Sequence, residues 1–269
     1  MFRTSARVLG PRVSARRRAA AAVVTAALIL PLATACGGGD DDAGKESGKT
    51  TIKVLAAASL TDVFAKAGAA YEKEHRDTVV KFSFAGSQQL AAQVKQDFPA
   101  DALVTADTKT MDRLAAKTSE PTVIAKNRLV IATADGNPKH IESLKDLTDK
   151  DLKVVLAAPA VPVGRYSKKV LDQQGLHVEP LSQEQDVRGV LSKVELGEAD
   201  AGIVYATDAM TAPGKVDAVK IPDSQNAVAE YPAATLKVSE HGKKAEAFVK
   251  WLGGPEAQRI LRDAGFQKP

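Results

Sequence analysis

The segment TIKVLAAASLTDVFAKAGAAY, residues 51–71, contains the structural unit that the rest of the chain repeats. Its first eight residues, 51–58, form a short apolar run that predicts a buried β-strand. Apolar residues then recur at helical spacing, at Leu60, Val63, Phe64, Ala67 and Tyr71. The segment therefore predicts a strand that passes directly into an amphipathic helix.

The same alternation continues to the end of the chain. Further strands are predicted at 81–85, 101–106, 127–134, 153–158, 201–206, 215–221 and 228–238, and further helices at 88–98, 108–117, 165–174, 187–194, 248–252 and 257–264. Strands that alternate with crossover helices predict an α/β fold with mixed, mostly parallel sheets flanked by helices. Ligands of such sheets bind at the carboxyl ends of the strands, where the helices begin.

The N-terminal region has the pattern of an export signal. Six arginines precede the apolar run AAAAVVTAALILPLATA, residues 19–35, and no acidic residue occurs before Asp40. This pattern predicts a signal peptide over 1–35. Cys36, the only cysteine, follows LATA in a sequence that resembles a lipobox, although Ala33 stands where a lipobox usually has leucine. We expect Cys36 to carry a lipid anchor and 36–49 to be a flexible tether, with simple signal cleavage as the alternative.

The charge of the chain excludes one class of partner. The formal net charge of +4 becomes −2 when the six arginines of the signal are set aside. No basic block occurs outside the signal and only 4% of the residues are aromatic, so we expect no nucleic-acid binding. A single cysteine cannot form an internal disulfide, so an exported domain of this sequence must be stabilised by its core.

The sequence lacks the common catalytic motifs. There is no HExxH, no pair of cysteines and no Gly-x-Ser-x-Gly elbow. The four histidines lie far apart in polar or turn contexts, at His75, His140, His177 and His241. We therefore expect no enzyme activity. The alternative from this class is an exported hydrolase that uses Ser59 or Ser87 as nucleophile, which would need a base close to the serine.

Ser59 and Ser87 share a position, because each follows a predicted strand and precedes a predicted helix. One interpretation is that both serines are helix N-caps, with Asp62 completing a capping box around Ser59. The other is that two helix N-termini converge on an anion, which would be held by first-turn N–H groups and by the serine hydroxyls. The residues alone leave both interpretations open.

A set of segments adds a resemblance to a known family. The segments are AAASLTDVF (56–64), FSFAGSQQLAAQV (82–94), PADALVTAD (99–107), VPVGRY (161–166), DVRG (186–189), GIVYATDA (202–209) and EYPAA (230–234). Together and in this order they resemble the molybdate-binding proteins of ABC transporters. The resemblance implies a two-lobed periplasmic-binding-protein fold of type II, with the ligand in a cleft between the lobes. We expect one lobe over 50–127 plus 232–269 and the other over 128–231, joined by extended crossings near 127–131 and 228–233.

The resemblance also implies a binding site for molybdate or tungstate. Ser59 and Ser87 would donate from one lobe, Val163 and Val187 would donate backbone amides from the other, and Tyr205 would donate its hydroxyl. The metal would be present only within the oxyanion, and no cofactor is expected. Two departures stand out, because Val163 occupies a position where the family often has alanine, and Arg165 occupies one where we expect an apolar residue. We interpret Arg165 as part of a solvated helix face, with an approach to the anion as the alternative.

The resemblance further implies the partners and the location of the protein. It would be an extracytoplasmic monomer, anchored to the membrane only by lipid, that delivers its ligand to an ABC permease and ATPase. Donor groups alone match a fully deprotonated oxyanion, whereas phosphate carrying a proton would also need an acceptor. Sulfate differs from molybdate mainly in size, so a binding protein for another tetrahedral oxyanion is the nearest alternative. A ligand-sensing domain without a transporter is a further one.

Overall fold

Strands that each lead into a helix build two connected β-sheets, as the computed structural model shows for residues 48–269. These residues belong to one compact unit. The predicted signal peptide 1–35, Cys36 and most of the tether 36–49 lie outside the described residues. Within 48–269, no helix is both long enough and apolar enough to cross a membrane.

The chain forms nine strands and eight α-helices over these residues. The strands are β1 (Thr50–Ala57), β2 (Thr78–Ala85), β3 (Ala102–Val104), β4 (Thr122–Ala134), β5 (Val154–Ala157), β6 (Ser182–Glu184), β7 (Ala201–Tyr205), β8 (Val216–Lys220) and β9 (Val228–Thr235). The helices are α1 (Thr61–Glu74), α2 (Ser87–Lys95), α3 (Thr108–Asp112), α4 (Pro162–Gln173), α5 (Val187–Glu195), α6 (Ala206–Ala209), α7 (Gly242–Leu252) and α8 (Pro255–Asp263).

The long strand β4 belongs to both sheets. Sheet 1 has the order β2-β1-β3-β9-β4 and sheet 2 the order β8-β4-β7-β5-β6. In β4, residues 122–128 pair with β9, whereas residues 129–134 pair with β7 and β8. Both sheets are mixed, as predicted, and every antiparallel pair involves β4 or β9.

The change of sheet within β4 falls inside the crossing expected near 127–131. The parallel pairs are β1–β2 and β1–β3 in sheet 1, and β5–β6 and β5–β7 in sheet 2. The carboxyl ends of the strands in such a parallel set lie at one edge of the sheet. The lobe boundaries given above stay a prediction.

Two helices are shorter than the sequence predicts. The helix predicted over 88–98 ends at Lys95 because Asp97 adopts a left-handed conformation with φ of 54°. Phe98, the last residue of the predicted helix, is therefore 43% exposed. The helix predicted over 108–117 ends at Asp112, since the chain continues in tighter turns in which the Leu114 N–H bonds the Met111 carbonyl.

Several other elements begin or end at different residues than predicted. Helix α4 begins at Pro162 rather than Arg165, because proline at the first helical position loses no hydrogen bond. Helices α7 and α8 likewise begin earlier than predicted, at Gly242 and Pro255. Strand β9 ends at Thr235, three residues before the predicted end.

Close packing holds the first turn of α4 against the end of β5. A Cβ atom on Gly164 would lie 2.5 Å from the carbonyl oxygen of Ala157 and closer still to that of Ala158. Backbone atoms of this kind cannot move aside as a flexible side chain can. Glycine at this position therefore sets how near the start of α4 comes to the carboxyl end of β5.

We expect Gly164→Ala to lower the free energy of unfolding by about 1–3 kcal/mol, because overpacking against fixed backbone forces α4 away from β5. Gly242→Ala is the matched control, since it changes a first-turn glycine with no atom within 4 Å of the added Cβ. That control should be neutral or stabilising by up to about 1 kcal/mol. Urea unfolding measures both variants, and equal midpoints for the two would contradict the packing argument.

Candidate functional site

One cavity lies where the carboxyl ends of six strands meet. It is lined by Ala57, Ala58, Ser59, Gly86, Ser87, Ala106, Val161, Pro162, Val163, Asp186, Val187 and Tyr205. These residues lie at the carboxyl ends of strands or directly after them. The strands are β1, β2 and β3 in sheet 1, and β5, β6 and β7 in sheet 2. The space among them that no protein atom fills is about 210 Å³, part of it open to solvent.

The structure brings together all five residues that the resemblance implies. Ser59 and Ser87 line the cavity from the side of sheet 1. Val163, Val187 and Tyr205 line it from the side of sheet 2. The two sets face each other across a single space, so one small ligand there would touch both sheets.

Ser87 is held in an orientation that leaves its proton free. It is the first residue of α2, and its hydroxyl oxygen accepts a hydrogen bond of 3.0 Å from the Ala106 N–H. Because the serine oxygen is the acceptor in that bond, its own O–H can donate into the cavity. The N-cap of α2 is Gly86, whose N–H donates to the Gln89 side chain at 3.0 Å. The interpretation of Ser87 as an N-cap is therefore wrong.

Ser59 is not a helix cap either. It lies in a short 3-10 helix, Ala58–Leu60, which precedes α1, and the N-cap of α1 is Leu60 without a side-chain bond. The Ser59 hydroxyl lies instead 3.0 Å from the hydroxyl of Tyr231. Asp62, predicted to complete a capping box, forms an ion pair of 2.6 Å with Arg188. The extra 3-10 turn moves the start of α1 past Ser59, which removes the capping geometry.

Val163 and Val187 provide backbone donors at the starts of two helices. Val163 is the second residue of α4 and Val187 the first of α5. First-turn N–H groups have no acceptor within their own helix, and the positive end of the helix dipole lies there. Asp186 is the N-cap of α5, because its carboxylate accepts from the Gly189 N–H at 3.0 Å. The arrangement suits an anion.

Tyr205 adds a neutral donor that lacks a partner. Its side chain is only 1% exposed, and its hydroxyl makes no hydrogen bond to any residue in 48–269. Burial raises the pKa of Tyr205 well above its ordinary value, so the hydroxyl keeps its proton. A buried hydroxyl without a partner costs about 1–3 kcal/mol. An acceptor in the cavity would remove that cost.

The cavity is lined by neutral donors rather than by cations. Asp186 is the one charged side chain among its lining residues, and its carboxylate is engaged as the cap of α5. None of the four histidines lines the cavity; His75 stacks on Tyr71, with ring centroids 4.0 Å apart. Within 48–269, no group of three or more His, Cys, Asp or Glu side chains is placed to hold a metal ion.

Arg165 forms an ion pair between the two sheets instead of facing solvent. Its guanidinium bonds the carboxylate of Asp107, with Nε 3.0 Å from Oδ2, and the hydroxyl of Thr110 at 2.8 Å. The two charged side chains are only 19% and 5% exposed. The interpretation of Arg165 as a solvated helix face is therefore wrong. Asp107, the N-cap of α3, neutralises the charge of Arg165. Arg165 is not among the residues that line the cavity.

Further contacts cross the cleft beside the cavity. Arg188 of α5 bonds Asp62 of α1 at 2.6 Å, and its Nε lies 2.8 Å from a carboxylate oxygen of Asp208. Asp208 is fully buried, and burial raises its pKa to about 7 although Arg188 acts in the opposite direction. The side chains of Gln88 and Gln89 both donate to Gln185, at 2.6 and 2.7 Å. Residues of the two sheets are thus in direct contact beside the cavity.

Sequence reasoning missed the residues immediately behind the cavity. Tyr231 was part of the EYPAA segment but was given no role, and Asn127 was only the first residue of a predicted strand. Both are buried, and Asn127 donates to the hydroxyl of Thr207 at 2.7 Å. The only local sequence feature that marks Asn127 is its position as a polar residue at the start of an apolar run.

Comparison with known proteins assigns the family. A family model described as bacterial extracellular solute-binding protein matches residues 52–267. The molybdate-binding protein ModA of Mycobacterium tuberculosis H37Rv is 40% identical over 230 residues, which cover 84% of this chain and 88% of that protein. These matches confirm the resemblance seen in the sequence.

Two solved structures show the same fold. The periplasmic molybdate-binding protein of Azotobacter vinelandii superposes with a TM-score of 0.71 at 22% identity, over 81% of this chain and 99% of that one. The sulfate-binding protein SubI of Mycobacterium tuberculosis H37Rv gives a TM-score of 0.73 at 21% identity, over 81% and 87% of the two chains. The chain therefore belongs to the family of bacterial extracellular solute-binding proteins and has their two-lobed α/β fold.

Proposed function

We propose that this protein captures molybdate, or the similar tungstate, and delivers it to an ABC importer. The observation that carries the proposal is the convergence of five neutral donors on one cavity, including the buried Tyr205 hydroxyl that no residue in 48–269 accepts from. The four oxygens of a tetrahedral oxyanion point in different directions, so donors on both sides of the cavity can each find an acceptor. The 40% identity to a protein named for molybdate binding supports the same ligand here.

The donor set favours an anion without protons. Ser59, Ser87 and Tyr205 are neutral hydroxyls, and Val163 and Val187 contribute N–H groups. Each hydrogen bond to a charged acceptor contributes about 1.5–3 kcal/mol, so five such bonds hold a dianion without a lysine or arginine. A phosphate that carries a proton would need an acceptor, and none of these five groups is one.

Sulfate is the second candidate because it also only accepts hydrogen bonds. The similarity to the sulfate-binding protein SubI supports that alternative by its fold alone, at 21% identity. The two anions differ mainly in size, so the dimensions of the cavity determine which of them binds more tightly. The sequence identity to ModA favours molybdate.

The mechanism we propose is closure of two lobes on the anion. The lobes would be 50–127 plus 232–269 and 128–231, with hinges where β4 and β9 cross. The anion would shift the population toward the closed form by the contacts that it makes to both lobes. The ion pairs of Arg165 and Arg188 would add to the stability of that form, because each of them spans the cleft.

We infer that the protein carries its ligand unchanged and is not an enzyme. A serine nucleophile needs a neighbouring base. The lining residues of the cavity, all within 48–269, include no histidine, and the Ser87 oxygen accepts from a backbone amide. The export signal and Cys36 support an extracytoplasmic location with a lipid anchor. The partners would be an ABC permease and its ATPase, met by a monomeric binding protein.

We expect molybdate and tungstate to raise the melting temperature strongly, and sulfate and phosphate to raise it little. A ligand present at one hundred times its dissociation constant adds about 2.7 kcal/mol of stability. Thermal melting of the protein in each anion at matched ionic strength measures this. A larger shift with sulfate than with molybdate would assign the site to the alternative anion, and no shift with any of the four would refute the proposal.

Tyr205→Phe should weaken molybdate binding about 10- to 100-fold, because it removes one hydrogen bond to a charged acceptor. The unliganded protein should lose no stability, since that hydroxyl has no partner in residues 48–269. Tyr71→Phe is the matched control, because it also removes a buried hydroxyl without a partner there, but in α1 and outside the cavity lining. Calorimetric titration should give Tyr71→Phe the wild-type affinity; equal affinities for both variants would exclude Tyr205 from the site.

Arg165→Gln should weaken molybdate binding by at least about 10-fold. It leaves Asp107 buried without a countercharge, a change that costs about 3–5 kcal/mol. Opening of the lobes, as proposed, would separate Arg165 from Asp107 and give that carboxylate access to water, so the cost would fall on the closed form. Arg259→Gln is the control, since Arg259 is 54% exposed and pairs only within α8. We expect a faster dissociation rate in stopped-flow measurements for Arg165→Gln alone. Identical rates for both variants would show that the ion pair does not contribute to closure.

A further inference from the structure

Tyr231 lies directly behind Ser59 without lining the cavity itself. It is on β9, completely buried, and its hydroxyl is 3.0 Å from the Ser59 hydroxyl. Its ring packs edge-on against Phe266, with centroids 5.4 Å apart, and against Tyr205, with centroids 5.9 Å apart. The ring is thus fixed by its neighbours, and the hydroxyl can act on a ligand only through Ser59.

The ligand determines the direction of the hydrogen bond between the two hydroxyls. By geometry alone, either oxygen of the 3.0 Å contact could be the donor. A serine hydroxyl has one proton, and an oxyanion without protons only accepts hydrogen bonds. If Ser59 donates its proton to the anion, as the proposed function requires, its oxygen is left to accept from Tyr231.

The protonation of Tyr231 is consistent with this direction. Burial raises the pKa of Tyr231, and the nearby Asp208 raises it further. The hydrogen bond with Ser59 lowers the pKa by less than burial raises it, so the phenol stays neutral at any physiological pH. A neutral phenol has one proton to donate, and Ser59 is the acceptor within reach.

We propose that Tyr231 is a positioning residue that holds the Ser59 hydroxyl as a donor toward the anion. This inference rests on the proposed function. Ser59 has one proton, and when its oxygen accepts from Tyr231 that proton is left to point into the cavity. The bonds would then run in one direction, from Tyr231 to Ser59 and from Ser59 to the ligand. A chain of this kind strengthens each of its members, because every donor is polarised by the one behind it.

The alternative is that Tyr231 only fills space. Its ring would then support the cavity wall, and the hydroxyl would have no effect that depends on Ser59. The two possibilities differ in one measurable quantity, the coupling between the Tyr231 hydroxyl and the Ser59 hydroxyl in ligand affinity. A double-mutant cycle isolates that coupling.

We expect Tyr231→Phe to weaken molybdate binding about 3- to 10-fold in the wild-type background, which is the range for one neutral hydrogen bond. In a Ser59→Ala background the same substitution should change the affinity by less than about 2-fold, because the hydroxyl through which Tyr231 acts is absent. Calorimetric titration with sodium molybdate measures all of these variants and their combinations.

Tyr71→Phe again provides the control, because it removes a buried phenol hydroxyl that bonds neither Ser59 nor any other residue in 48–269. Thermal melting without ligand checks that each variant is folded. Equal losses from Tyr231→Phe in both backgrounds, or no loss in either, would overturn the positioning role while leaving the proposed function intact. Failure of the wild-type protein to bind molybdate would instead refute the proposed function, and it is seen in the first titration of the series.

Discussion

The hydrogen-bond donors at the carboxyl ends of two sheets form the constraint around which this protein is organised. First-turn N–H groups of α4 and α5 and the Tyr205 hydroxyl cannot find acceptors within their own elements. A buried donor without an acceptor is costly, so the site is complete only with an acceptor between the sheets. That requirement explains why the functional residues lie at strand ends, and why both sheets must contribute.

Much of this arrangement is readable from the sequence because it depends on local pattern. Strand and helix periods, and the small residues where a strand meets a helix, place Ser59, Ser87 and Tyr205 at strand ends. The resemblance of ordered segments then relates those positions to one another. The Asp186 cap is equally local, since it depends on a side chain and an amide three residues apart.

The features that the sequence did not predict depend on contacts between distant residues. Ser59 and Tyr231 are 172 positions apart, and Arg165 and Asp107 are 58 apart. No period or spacing connects such residues, so the contact of Ser59 with Tyr231 was not predicted and Arg165 was interpreted as part of a solvated helix face. The early end of α2 is different, because a single left-handed residue, Asp97, overrides a helical pattern that continues beyond it.

The charged side chains near the cavity are kept apart from the neutral hydrogen-bond donors that line it. This separation bears on which anion is selected and on how the anion is released. Arg165 and Arg188 lie near the cavity, yet each is paired with a carboxylate across the cleft and neither lines the cavity. A free cation there would attract every small anion and retain it strongly. Neutral donors bind only when several are met at once by acceptors in the right directions, which favours a tetrahedral anion. In the proposed opening motion the donors of the two sheets would separate together, so an anion held this way would lose its contacts in one motion.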